Sequence, residues 1–319
     1  MDTEKTFIFR DQMIELSAAE LSPDEVELAK QHVEITRHLQ EIQQLYLMFQ
    51  YALDCIDSKY TLMSNGKVLK SNDPANTEAD FIAINAMVNN LISAGRTLVE
   101  SMECYVSENY SKDDSDCKEY MDFYHKTYDI SFPYRFLIRM RDYSQHGHLP
   151  VNQDGDWYGF DLYQVLNKPH FKHNGLIKQQ LDNAVKEVMD VYGDIPRLPL
   201  AMALAEFTAN LLGIYYQFWV SVEPAMIISE KKFKELIGNH PENVNVVGDE
   251  NVSLFIYDVD DDGVAHVVFV DNDSSQMLSN FKSEAKAIAD RYMNSWHQLK
   301  QGTLIFRVVD KKQIVIDTL

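Results

Sequence analysis

The chain has 319 residues, 45% of them hydrophobic and 24% charged, with 12 Gly and 9 Pro. That composition can bury a sizeable core and excludes a disordered or collagen-like polymer. Asp and Glu number 49 against 29 Lys and Arg, a net charge of −20. Broad, sequence-independent attraction to nucleic acid or anionic membrane is thereby opposed, and a polyanion must meet a local basic site.

The opening MDTEKTFIFRD has no basic segment ahead of an apolar stretch and predicts no secretory signal. Ser22-Pro23-Asp24-Glu25 is a helix start, with Ser22 as N-cap, Pro23 at the first position and Glu25 placed for a capping box. Apolar residues from Val26 through Leu39, Leu45 and Phe49 to Ile56 recur near a 3.6-residue period, which predicts one long amphipathic helix to about Asp57. Tyr60–Met63 and Val68–Leu69, joined through Asn65-Gly66, predict a small hairpin. A second long helix follows Asn72-Asp73-Pro74 and runs to about Glu108.

Lys112-Asp113-Asp114-Ser115-Asp116 reads as a polar linker, and a shorter helix passes through Tyr120 and Tyr124. Ser131-Phe132-Pro133 starts another, stopped by Gly147 and Pro150. Residues 151–170 read as loop and short strand, and 177–191 and 198–222 as two further helices. Phe207–Val222 carries no charge, is bounded by Glu206 and Glu223, and is too short for a typical ~20-residue membrane span, so it reads as a core helix. Beyond it the pattern changes. Strands at 252–259 and 264–270, a helix at 277–299 and a hairpin from 303–309 and 313–317 predict a small α+β part. The predicted fold is mainly α: a helical domain over residues 1–235 with small β insertions, then an α+β C-terminal domain over 236–319.

The local exception to the acidic average is residues 131–150, SFPYRFLIRMRDYSQHGHLP, with Arg135, Arg139 and Arg141 against Asp142 alone, plus His146 and His148. Arg135 and Arg139 share a helix face, and Arg141 precedes His146 by five residues. A fixed guanidinium binds phosphate bidentately and stabilises charge developing on it. An imidazole titrating near neutrality takes or gives a proton. Together they suffice for metal-free phosphodiester chemistry on RNA, whose 2′-hydroxyl supplies the nucleophile.

The stretch from Tyr134-Arg135-Phe136 through Arg141-Asp142-Tyr143-Ser144-Gln145-His146-Gly147-His148-Leu149-Pro150 resembles the R-x(4–6)-H motif of HEPN-like proteins. The helix Asn89–Thr97 and the lead-in Tyr128–Phe132 are also similar to members reading RNYxQH-x-GLP. The resemblance covers residues 25–225 in architecture and some 20 residues around the motif in detail. It implies an antiparallel HEPN-like helical bundle and a metal-independent endoribonuclease, often a toxin or antiviral defence effector, with a composite site where two motif helices meet in a homodimer. By the same resemblance Arg141 binds and polarises the scissile phosphate, His146 is general acid or base, and Asp142 orients one of them. Arg135, Arg139 and His148 are the accompanying substrate-binding candidates. Asp142 stands where members often carry Asn, and His148 is an imidazole beyond the motif. Some members are catalytically inactive interaction modules, and the acidic surface here suits a basic protein partner under that alternative.

No metal or cofactor is expected. Asp258-x-Asp260-x-Asp262-Gly263 matches the first half of a calcium loop but has Phe269 in place of the closing Glu. His170-x-x-His173 lacks completing ligands. Tyr215, Tyr216, Phe218 and Trp219 are read as core packing. Cys55, Cys104 and Cys117 form no disulfide framework and no CxxC pair, which fits a reducing, cytoplasmic setting. RNA, a second copy and a regulatory protein are the expected partners, and no membrane.

Overall fold

Ser22 opens the first helix, α1 (Pro23–Asp57), through the predicted capping box. Ser22 N and Oγ each donate to Glu25 Oε2 at 2.8 Å, and Glu25 N donates back to Ser22 Oγ. The computed structural model describes residues 21–111, 114–166 and 197–240, the backbone of the strands outside those ranges, and isolated positions within 168–186 and at 283 and 287. The protein is mostly helical with small antiparallel sheets. It divides into two units, Ile42–Ser221 with Ala285–Leu319, and Met1–Glu41 with Val222–Glu284.

In the first unit α2 (Glu78–Asn109), α3 (Ser115–Ile130) and α4 (Phe132–Gln145) pack with the 42–57 portion of α1 around the N-terminal half of α6 (Leu200–Asn239). α6 is the axis of this core. Phe207 meets Phe49 and Tyr134, Tyr215 stacks on Tyr46, and Phe218 meets Tyr105 and Tyr120. Tyr215, Phe218 and Trp219 are buried, as the sequence reading has them. α6 is long and apolar enough to cross a membrane by length and composition, and it buries Phe207, Leu211, Ile214, Tyr215, Phe218 and Trp219 in this core. Gly95 lets α2 approach closely, since a Cβ there would lie 2.8 Å from Leu211 and 2.9 Å from Phe207.

The predicted hairpin forms as β3 (Thr61–Leu62) and β4 (Val68–Lys70), extended by β5 (Asp73–Pro74). A second small sheet has the order β6 (Asn152–Asp154), β7 (Trp157–Asp161), β8 (Arg197–Pro199), with the short α5 (Leu162–Leu166) after β7. Tyr158 N donates to Gly66 O at 2.8 Å and Val68 N to Asp156 O at 3.0 Å, which fastens the hairpin to β7. Gly66 sits at φ +90°, and a Cβ there would fall 2.0 Å from Trp157 Nε1. Gly66→Ala is therefore expected to lower stability by about 2 kcal/mol, combining left-handed strain with displacement of the indole. Urea unfolding checks this, and an unchanged midpoint would mean that the hairpin is not held there.

In the second unit Ala29, Phe233 and Leu236 form the core, flanked by Leu21, Val26, Leu28, Val33 and Ile237. His32 stacks on Phe233 and shares a 2.9 Å hydrogen bond with Ser229. His240 Nε2 lies 2.8 Å from Glu25 Oε1. α6 continues to Asn239, well past the predicted end at Val222. Its charged segment is laced by Glu230–Lys234 and Lys231–Glu235 pairs and anchored by Phe233, and Pro224 is carried inside the helix.

The hairpin β1 (Glu4–Phe9) with β2 (Gln12–Ser17) has no counterpart in the sequence reading. Strands β9 (Val244–Val247), β10 (Asn251–Val259) and β11 (Ala265–Asp271) form one antiparallel sheet, and β12 (Leu304–Val309) pairs with β13 (Gln313–Thr318). The last four are the strands predicted there. The predicted helix at 277–299, most of that at 177–191, His170, His173 and the 260–264 turn lie outside the described residues.

Candidate functional site

α4 presents the motif. Ser131 caps it, with Oγ accepting from Tyr134 N, and Pro133 sits in its first turn. At 100° per residue, Arg141, Gln145, Ile138, Asp142, His146 and Arg139 fall within an arc of about 160°. Phe136, Leu137, Met140 and Tyr143 occupy the rest and are buried. The helix ends at His146, whose backbone N donates to Tyr143 O, and Gly147 reverses the chain at φ +84°. His148 then folds back to stack on Tyr143 with ring centroids 4.4 Å apart. His146 and His148 are both exposed.

α2 is the platform that fixes this segment. Arg96 Nη1 donates to Asp142 Oδ1 and to Ile138 O, while Arg96 Nε donates to Glu100 Oε1 at 2.6 Å. Burial works against the charge on Arg96, but the hydrogen bonds and charges of Glu100 and Asp142 outweigh it and raise its pKa. Arg141 Nη1 lies 3.7 Å from Asp142 Oδ1. With the Gln145 amide turned so that its oxygen faces the guanidinium, Arg141 Nε and Nη2 both donate to it at 3.1 Å. Three turns earlier on α2 the buried Asn85 clamps the chain after the motif. Its Oδ1 accepts from Val151 N at 2.8 Å and its Nδ2 donates to Val151 O at 3.3 Å.

The six expected site residues are therefore not equivalent. Arg141, Asp142 and His146 share the exposed end of α4, with Asp142 tied to α2. Arg135 is 8% exposed and donates to the carbonyls of Tyr128 and Asp129, so it closes the C-terminal end of α3 and does not face solvent as a substrate contact would. Burial lowers its pKa. Arg139 Nε donates to Tyr128 Oη at 3.0 Å and lines a cleft of about 300 Å³ between α2, α3 and α4. Its lining includes Arg96, Glu100, Glu103, Tyr124, His125 and Tyr128. His148 is exposed and stacked on Tyr143.

Arg96, Gln145 and Asn85 are roles the sequence reading did not assign. Gln145 was legible as a neighbour four residues from Arg141. Arg96 and Asn85 reach the motif from 46 and 66 residues away, which no local spacing encodes. A larger apolar groove of about 720 Å³ lies between α1 and α2, lined by Leu45, Leu47, Met48, Tyr51 and Met87 among others, and is separate from the motif. Among the described residues no three His, Cys, Asp or Glu side chains are grouped to hold a metal ion.

Replacing Arg96 with Ala is expected to lower stability by about 1 kcal/mol, a half-exposed ion-pair network being worth little more. It should also free Asp142, which a change in the Asp142 carboxyl chemical shift would report. No family model matches the chain, and no curated protein or solved structure matches it.

Proposed function

We propose that the chain is a metal-independent endoribonuclease of HEPN-like type. The observation that carries this reading is the placement of the partly exposed Arg141 and the exposed His146 on the unburied arc at the end of α4, with Asp142 between them held by Arg96. In the proposed reaction His146 removes the proton of a ribose 2′-hydroxyl, and the 2′-oxygen attacks the adjacent phosphorus. The bond to the 5′-oxygen breaks and that oxygen takes up a proton. The products are a 2′,3′-cyclic phosphate and a 5′-hydroxyl end. The Arg141 guanidinium neutralises the charge gathering on the phosphoryl oxygens, while Asp142 and Gln145 hold its plane. A cytoplasmic homodimer joined at the motif helices completes the composite site, and a toxin or antiviral defence role belongs to the same reading. The net charge of −20 favours a selected RNA, or activity restrained until a partner or signal arrives.

One observation favours a second reading. The guanidinium of Arg141 is already bonded to Gln145 and lies beside Asp142, as it would in an inactive interaction module whose acidic surface binds a basic protein. Incubating the purified chain with total RNA and tRNA in EDTA separates the two. Fragments ending in cyclic phosphate, absent with Arg141→Ala, support the nuclease. Intact RNA beside undiminished partner capture by the same variant supports the module.

A further inference from the structure

The cleft between α2, α3 and α4 begins at Arg96, the residue that holds Asp142, and runs along α4 toward its N-terminus past Ile138 and Arg139. Its volume of about 300 Å³ suits one nucleobase with its sugar. Three kinds of group meet in it. Tyr124, His125 and Tyr128 line it with their rings, Tyr124 also stacked on Tyr120 and Tyr128 also beside the Arg135 and Arg139 guanidiniums, and a nucleobase stacks on any aromatic face left to it. Arg139 is steadied by Tyr128, to whose hydroxyl its Nε donates and over whose ring its guanidinium lies at 5.9 Å, and its two terminal nitrogens make no hydrogen bond among the described residues. Glu103 is half-buried and accepts no hydrogen bond among the described residues, whereas Glu100 is engaged by Arg96. The burial-driven rise of the Tyr124 pKa to about 12 is reinforced by Glu103 and opposed by Arg139, which places both charges beside that ring.

A planar guanidinium offers paired donors and asks for two adjacent acceptors. A carboxylate offers paired acceptors and asks for two adjacent donors. Guanine alone among the four RNA bases carries both, O6 with N7 on one edge and N1–H with the 2-amino group on the next. Adenine and cytosine present an amino group beside a ring acceptor, and uracil presents one N–H between two carbonyls. The geometry points to this cleft as a guanine-binding subsite, with Arg139 donating to O6 and N7, Glu103 accepting from N1–H and the 2-amino group, and Tyr124 and Tyr128 against the base. This deepens the nuclease reading and rests on it for its meaning, the cleft meeting the motif at Arg96, which holds Asp142.

Calorimetric titration with GMP, AMP, CMP and UMP tests the subsite without any cleavage, and an RNA ladder assay on oligonucleotides carrying a single guanosine tests it within RNA. GMP is expected to bind at least about tenfold more tightly than the other three. Glu103→Gln, nearly isosteric and half-exposed, should erase that preference while the thermal midpoint holds, and Arg139→Met should weaken GMP. Cleavage should fall beside the guanosine. Equal affinity for all four nucleotides, or GMP binding untouched by Glu103→Gln, overturns the subsite. RNA cleaved without base preference, together with no GMP binding, leaves the nuclease standing and removes the subsite. Selective GMP binding with RNA uncut by the wild type keeps the subsite as one for a free guanine nucleotide and counts against an unassisted nuclease.

Discussion

Removing the imidazole of His146 by substitution with Ala is expected to slow single-turnover RNA cleavage by about 10²- to 10⁴-fold, the usual contribution of a positioned general acid or base. The side chain is exposed at the end of α4, so the same change should leave the unfolding free energy from urea titration within about 0.5 kcal/mol of wild type. That separation between activity and stability is what a catalytic role requires and a capping role does not. Arg141→Lys sharpens the test. An ammonium keeps the charge but loses the planar fork that Gln145 aligns, and about a 10²-fold loss is expected. Rates for His146→Ala equal to wild type in EDTA would assign the cleavage elsewhere.

The largest effect on stability should come from a residue that takes no part in that chemistry. Glu206 on α6 is fully buried, and Oε1 accepts from Ser131 Oγ at 2.5 Å. Oε2 has no partner among the described residues. Burial pushes its pKa up to about 7, partly offset by the Ser131 hydrogen bond. The folded chain therefore keeps a proton over roughly pH 4.5 to 7 that the unfolded chain gives up. Stability falls as pH rises through that window, by about 3 kcal/mol in all, and levels off above pH 7. Glu206→Gln retains the acceptor for Ser131 but has no proton to lose. Urea midpoints from pH 5 to 8 should show the difference between wild type and variant growing with pH and then becoming constant. A constant difference across the whole range would mean that the carboxylate is solvated.

Much of the helical part was legible because its signals are local. The Ser22-Pro23-x-Glu25 box, the Ser131 cap and the Gly147 stop mark chain ends by their own hydrogen bonds, and α1, α2 and α4 begin and end within a few residues of where the apolar period placed them. Asn65-Gly66 announced its turn for the same reason, although its docking against Trp157 was not legible. The continuation of α6 past Pro224 was missed because what holds the charged segment, Phe233 and Leu236 against Ala29, Ser229 on His32 and His240 on Glu25, lies about 200 residues away in the chain. At the candidate site the sequence offered Arg141, Asp142 and His146 as a run. It could not show that Arg135 turns inward to the end of α3 or that Glu103 and Arg139 share one cleft, because those outcomes depend on how three helices meet.

The clasp between Arg96 and Asp142 joins residues 46 positions apart into one device. A lineage that alters either partner alone breaks the link from α2 to the motif, leaving Arg96 to Glu100 and Asp142 to Arg141, so the two positions are expected to change together through descent, charge for charge. What is inherited is then a pair of helices. The R-x-x-x-x-H segment grafted alone into a foreign bundle would carry over only half of it.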